Sequence, residues 1–158
     1  MGAMTFKQLH SCGHDFIFAK ADNDKRLAFG WASVAVRVDG EVVVDWQDDI
    51  IDIEELERAA YEYVAVFGVA GEMHVRGGVG RLIESVVFTK EKAQAMGIPE
   101  GYMPEGWWIG FRVDDDEVWQ KVKDGTYNMF SIEGKAKRVP VDATTQPTEQ
   151  EVSVCQIS

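Results

Sequence analysis

Asp39-Gly40 narrows the fold of this chain more than any other pair of residues, because it lies between two runs rich in apolar and β-branched residues, Leu27 to Val38 and Glu41 to Asp45. A two-residue Asp-Gly connection favours a type I′ turn, whose two central positions need positive φ. The pair predicts a β-hairpin with strands at 27–38 and 41–46, and so antiparallel pairing early in the chain.

The next elements follow from caps and periodicity. Asp52 reads as a helix N-cap with Glu55 in capping-box position, and Leu56, Ala60, Tyr63, Val64 and Phe67 recur at helical spacing over 53–67. Gly68 stops that helix. Strands are predicted around Glu72 to Val75 and from Val79 to Thr89, joined by a Gly77-Gly78 turn. Lys90 to Met96 reads as a brief helix, Ile98 to Gly106 as a loop and Trp107 to Val113 as a strand. The acidic run Asp114 to Glu117 suits a helix N-terminus, with Val118, Trp119 and Val122 as its apolar stripe. Strands at Thr126–Ile132 and Lys135–Val141 meet at Glu133-Gly134. Strands outnumber helices without βαβ alternation, which predicts an α+β domain on a mainly antiparallel sheet or small barrel. The division expected is an irregular segment over 1–26, opening on a cloning remnant, a domain over 27–141 and a polar tail over 142–158.

With 158 residues the chain suits one domain, and 46% hydrophobic with 27% charged residues is a globular composition. A net charge of −11 disfavours duplex DNA and anionic membrane surfaces as partners. No run approaches the ~20 apolar residues of a membrane span, and no leader opens the chain, so a soluble protein is expected. Cys12 and Cys155 alone make no disulfide framework and read as free thiols in a reducing compartment.

Candidate chemistry rests on few residues. His10, Cys12 and His14 resemble a metal-ligand cluster, but a structural zinc site needs four ligands and none lies nearby, so an incidental surface segment is the expectation. His74, beside the Gly77-Gly78 pair, is either a fixed imidazole open to a cleft or a histidine bonded to backbone. Ser131 ends a strand, and Ile132 and Gly134 could lend backbone N–H groups to an oxyanion there. A serine needs a base within hydrogen-bond reach, so His74 and Ser131 are a candidate pair if adjacent strands unite them. Trp107 and Trp108, being consecutive on a strand, should face opposite sides, with one of them outside the core.

Five ordered blocks go further: Val42 to Ile51, Gly71-Glu72-Met73-His74, Gly80 to Ser85, Gly106 to Phe111 and Gly125 to Ile132. Together they resemble the phage prohead maturation proteases, in particular the XkdF-like serine proteases of tailed phages and defective prophages, over Ala28 to Arg138. The resemblance implies a herpesvirus assemblin-type fold, a small β-barrel flanked by helices. It implies a serine endopeptidase of head maturation that cuts scaffold or capsid protein, and itself, inside the assembling prohead in the host cytoplasm. It requires no cofactor or metal, and association into a homo-oligomer is plausible for such enzymes.

By the same resemblance Ser131 is the nucleophile and His74 its base. The third member is open between Glu84, which could equally be an outward strand carboxylate, and Glu151 of Glu151-Val152-Ser153. Lys135, Lys137 and Arg138 either assist the oxyanion and grip an acidic peptide or merely discourage edge pairing. Two other classes compete: a non-catalytic capsid-assembly protein that keeps the fold, and, more remotely, a metal-dependent hydrolase using His10, His14 and His74.

Overall fold

The computed structural model describes residues 20–22, 25–45, 48–73, 75–133, 138 and 154–157, with the backbone alone for 20–22, 133 and 154–157. Among the described residues ten elements occur, in the order β1 (Lys20–Asp22), β2 (Leu27–Val36), α1 (Ile53–Val66), β3 (Val69–Glu72), β4 (Arg76–Phe88), α2 (Lys90–Ala95), β5 (Glu105–Val113), α3 (Asp116–Lys123), β6 (Phe130–Glu133) and β7 (Val154–Ile157). The strands form one sheet in the order β1-β2-β5-β4-β3-β7-β6. All pairings are antiparallel except β3 with β7. The sheet curls so that β6 lies near β2, and the whole is an α+β fold on a curled half-barrel.

The centre of the sheet is dictated by side-chain size. Trp107, Ile109, Phe111 and Val113 of β5 alternate into the core at 1% exposure or less, and each large buried side chain contributes roughly 1.5–3 kcal/mol. Tyr63 of α1 meets Trp107 edge-on at 5.5 Å, and Phe111 meets Phe130 at 5.5 Å. Trp108 lies on the opposite face, 5.5 Å from Trp31, so the consecutive tryptophans divide as alternation demands. Gly106 has to be glycine: a Cβ there would lie 2.4 Å from the Ser33 backbone carbonyl oxygen.

Helix ends follow the charges. Asp52 caps α1, but its carboxylate accepts from Glu54 N at 2.9 Å instead of forming the reciprocal box with Glu55. Asp115 caps α3 through Val118 N at 2.9 Å, with Asp116 and Glu117 in the first turn and Lys121 and Lys123 in the last. That distribution opposes the helix dipole at both ends.

Several expectations need correction. The Asp39-Gly40 turn forms, with Gly40 at φ +85° and Arg37 N donating to Glu41 O at 2.9 Å. Among the described residues no second strand follows it. One bridge, Val36 to Val42, is made, and Val42 and Val44 stay more than half exposed. Gly77-Gly78 is not the turn between strands but the beginning of β4, where a bulge between Ala70 and Gly71 absorbs the extra residues. The reversal falls earlier, where Val75 N donates to Glu72 O at 2.9 Å and Met73 takes φ +48°. The strand begun at Thr126 starts only at Phe130, and β1 and β7 lie in segments expected to be irregular and tail-like. The strand expected over 135–141 lies outside the described residues apart from Arg138, which pairs with Asp49 at 2.7 Å.

Candidate active site

Ser131 is placed by its neighbour. Phe130, 1% exposed, anchors β6 against Phe111, and strand alternation turns the half-buried Ser131 to the other face. Across the sheet Ser131 is in register with Gln156 of β7, which is in register with Gly71 of β3. Two inter-strand spacings separate Ser131 from Gly71, roughly 10 Å between Cα atoms. Gly71 stands three residues before His74 in sequence, and His74 itself lies outside the described residues.

The end of β3 is clamped by charge. Glu72, 9% exposed, accepts from Lys121 Nζ at 2.8 Å and Tyr127 OH at 2.8 Å through one carboxylate oxygen, and from Arg76 Nε at 2.7 Å through the other. Arg76 continues to Asp115 at 3.0 Å. The hydrogen bond from Lys121, then that from Arg76, holds the Glu72 carboxyl down to about 2, against the opposing effect of burial. The same bond pushes the Lys121 ammonium well above its ordinary value. Glu72 is in register with Ile157 and Phe130, so it shares the face of Phe130 and not that of Ser131. It fixes the strand end from which the chain runs on to position 74, and it does not face the candidate nucleophile.

This cluster was not identified from the sequence. Two of the three partners of Glu72 lie 49 and 55 residues away along the chain, beyond any periodicity, and only Arg76 is near. The available signal was a carboxylate closing the otherwise uncharged β3 run Val-Ala-Gly-Glu.

The other candidates divide. Glu84 is not brought to the Ser131 end: two register shifts leave five ladder positions along β4 between it and Arg76, the register partner of Glu72, or roughly 17 Å of strand. Its exposed carboxylate accepts from Trp108 Nε1 at 3.0 Å. Ile132 is half-buried, packs against the core and lies opposite Cys155. Gly134, Lys135, Lys137 and Glu151 lie outside the described residues, as do His10, Cys12 and His14. Among the described residues no group of three or more His, Cys, Asp or Glu side chains is arranged to hold a metal. No described helix is long and apolar enough to cross a membrane.

Comparison with known proteins fits this picture at the level of the family. The model of a family described as "Putative phage serine protease XkdF" matches residues 15–140, and the chain belongs to that family. From Bacillus subtilis (strain 168), the "Uncharacterized protein YqbD" is 25% identical over 136 residues, covering 85% of this chain and 38% of the relative. The "Phage-like element PBSX protein XkdF" of the same organism is 28% identical over 122 residues, covering 76% of this chain and 41% of the relative. The chain thus spans about two-fifths of the length of these curated relatives. No solved structure matches it significantly.

Proposed function

We propose, starting from that family membership, that the chain is a serine endopeptidase of phage head maturation, with an assemblin-type barrel and a Ser131/His74 pair. It cleaves scaffold or capsid protein, and its own chain, within the assembling prohead. The observation that carries this reading is the register row Ser131–Gln156–Gly71, which sets the serine about two strand spacings from the strand that leads to His74.

In the reaction Ser131 Oγ attacks the scissile carbonyl while His74 takes its proton. The imidazolium then protonates the leaving amine, and water attacks the acyl-serine with His74 again as base. Backbone N–H groups at Ile132 and Gly134, with Lys135 nearby, are the candidates to face the oxyanion. Trp108 and the long strand path to Arg76 argue against Glu84 as the acid that orients His74. Glu151, three residues before β7, takes that place in the proposal.

The test is incubation with candidate scaffold protein. Ser131→Ala and His74→Ala should each lower the cleavage rate by on the order of 10³–10⁶, with folding unchanged. Identical fragments from wild type and both variants would assign the cleavage to a contaminant and remove the proposal.

A further inference from the structure

We propose that Arg81 is a specificity residue that binds a carboxylate side chain of the peptide substrate, a few residues from the bond cut beside Ser131. The inference rests on the peptidase reading and adds to it the chemical class of peptide the site accepts.

Arg81 stands on the face of the sheet that carries Ser131. Along β3, Ala70 and Glu72 are turned to the core, so alternation puts Val69 and Gly71 on the other face. Gly71 is in register with Gln156 and through it with Ser131, and Val69 is in register with Arg81. Three strand spacings across and two residues along separate Ser131 from Arg81, roughly 16 Å between Cα atoms. An extended peptide rises about 3.3 Å per residue, so one lying on this face covers that path in roughly five residues. The long Arg81 side chain widens the range to roughly three to five.

The way there is open beyond Gly71. Gly77 and Gly78 are exposed, and among the described residues a Cβ on either would meet no atom within 4 Å. An open groove of about 670 Å³ follows, lined among others by Val69, Arg81, Asp114 and the glycines 68, 78 and 80. A floor of glycines lets a peptide backbone approach the sheet closely.

The charge of Arg81 is spare. Each cation around it has a carboxylate within 3.0 Å: Arg112 holds Asp114, Arg76 holds Glu72 and Asp115, Lys121 holds Glu72, and Arg26 holds Asp116. Among the described residues Arg81 has one contact, at 3.7 Å, to the Asp114 that Arg112 already occupies. Its side chain is 75% exposed and directly opposite Arg112 in the ladder. Like charges so placed repel, and a second carboxylate between them relieves the repulsion. A guanidinium also fits a carboxylate with two parallel hydrogen bonds. Over a chain of net charge −11 most of the surface repels an acidic peptide, so this pair fixes where its carboxylate sits.

The probe is a randomised library of ten-residue peptides. It is cut by the 158-residue chain, with cut sites read by mass spectrometry, and it is also passed over immobilised chain carrying Ser131→Ala. Cut peptides should carry Asp or Glu at one position, roughly three to five residues from the cut, enriched by roughly five-fold over the input. Arg81→Gln should abolish that preference, and Arg81→Glu should reverse it toward Lys and Arg. For one acidic peptide the loss should appear in KM and not in kcat, because Arg81 touches no reacting atom. Arg37→Glu makes the same change in net charge at the far end of β2 from Leu27, the register partner of Arg112, and should leave the preference intact. The immobilised chain should retain acidic peptides, and Arg81→Glu should release them. A preference unchanged in Arg81→Glu, or lost equally in Arg37→Glu, overturns the assignment, as does the absence of both cleavage and acid-dependent retention. Acid-dependent retention that needs Arg81, in a chain whose Ser131 form cuts nothing, keeps the carboxylate site and removes the peptidase reading. Cleavage without a charge preference does the reverse.

Discussion

The β2–β5–β4 side and the β3–β7–β6 side of one sheet are held by different forces. The first has eight register pairs at each junction and packs Trp107, Ile109 and Phe111 out of water. The second has short strands, two to four pairs at each junction of β7, and a buried carboxylate held by three donors. Apolar area stabilises without demanding geometry, whereas hydrogen-bonded charges fix direction. The molecule therefore carries its stability on one side and its positioning on the other, and the candidate chemistry belongs to the positioning side.

Substitutions can break or sharpen that division. The largest effect is expected at Trp107→Ala, which should cost about 3–5 kcal/mol through its cavity and lower the thermal midpoint by roughly 10 °C or more. A calorimetric scan checks it. A loss under 1 kcal/mol would mean the long ladders do not hold the core.

Next comes acid. The folded Glu72 carboxyl is held to about 2, below its ordinary 4.5, so the unfolded chain takes up this proton first. Its contribution is present in full above about pH 4.5 and is lost as pH falls toward about 2. It amounts to about 2–3 kcal/mol. Urea unfolding at stepped pH should show that loss in the wild type and its absence in Glu72→Gln. Parallel pH curves for the two would remove Glu72 from the account of β3.

Glu84→Ala should change stability by no more than about 0.5 kcal/mol, as for other exposed positions, and leave cleavage within about three-fold. A loss in cleavage comparable to that of Ser131→Ala would return Glu84 to the site and contradict the strand path that separates them.

Legibility in the sequence followed the same division. The core side was readable because local rules and tertiary packing agree there. Asp52 caps α1, Asp115 caps α3, and Trp107 and Trp108 part to opposite faces. Where a ladder needs a partner, propensity misled. Val42 and Val44 are β-branched, yet among the described residues the one bridge Val36 to Val42 is all the strand pairing they make. Gly77-Gly78 has turn composition, but the reversal is taken by Met73 at φ +48°, a left-handed residue that no composition rule would select. β7 was missed because Val154–Ile157 follow a Thr- and Gln-rich stretch and the strands they join lie far away in sequence. Near the candidate site the strand that carries Ser131 was readable, but the clamp on β3 joins residues distant in sequence. The placement of His74 lies outside the described residues.

The pairing of Ser131 with His74 is tested most directly by labelling with a fluorophosphonate, which reacts only with an activated serine hydroxyl. Mass mapping should find one adduct, on Ser131, formed at least a hundred-fold more slowly in His74→Ala although that variant stays folded. An adduct elsewhere, no adduct at all, or equal rates with and without the imidazole would contradict the pair.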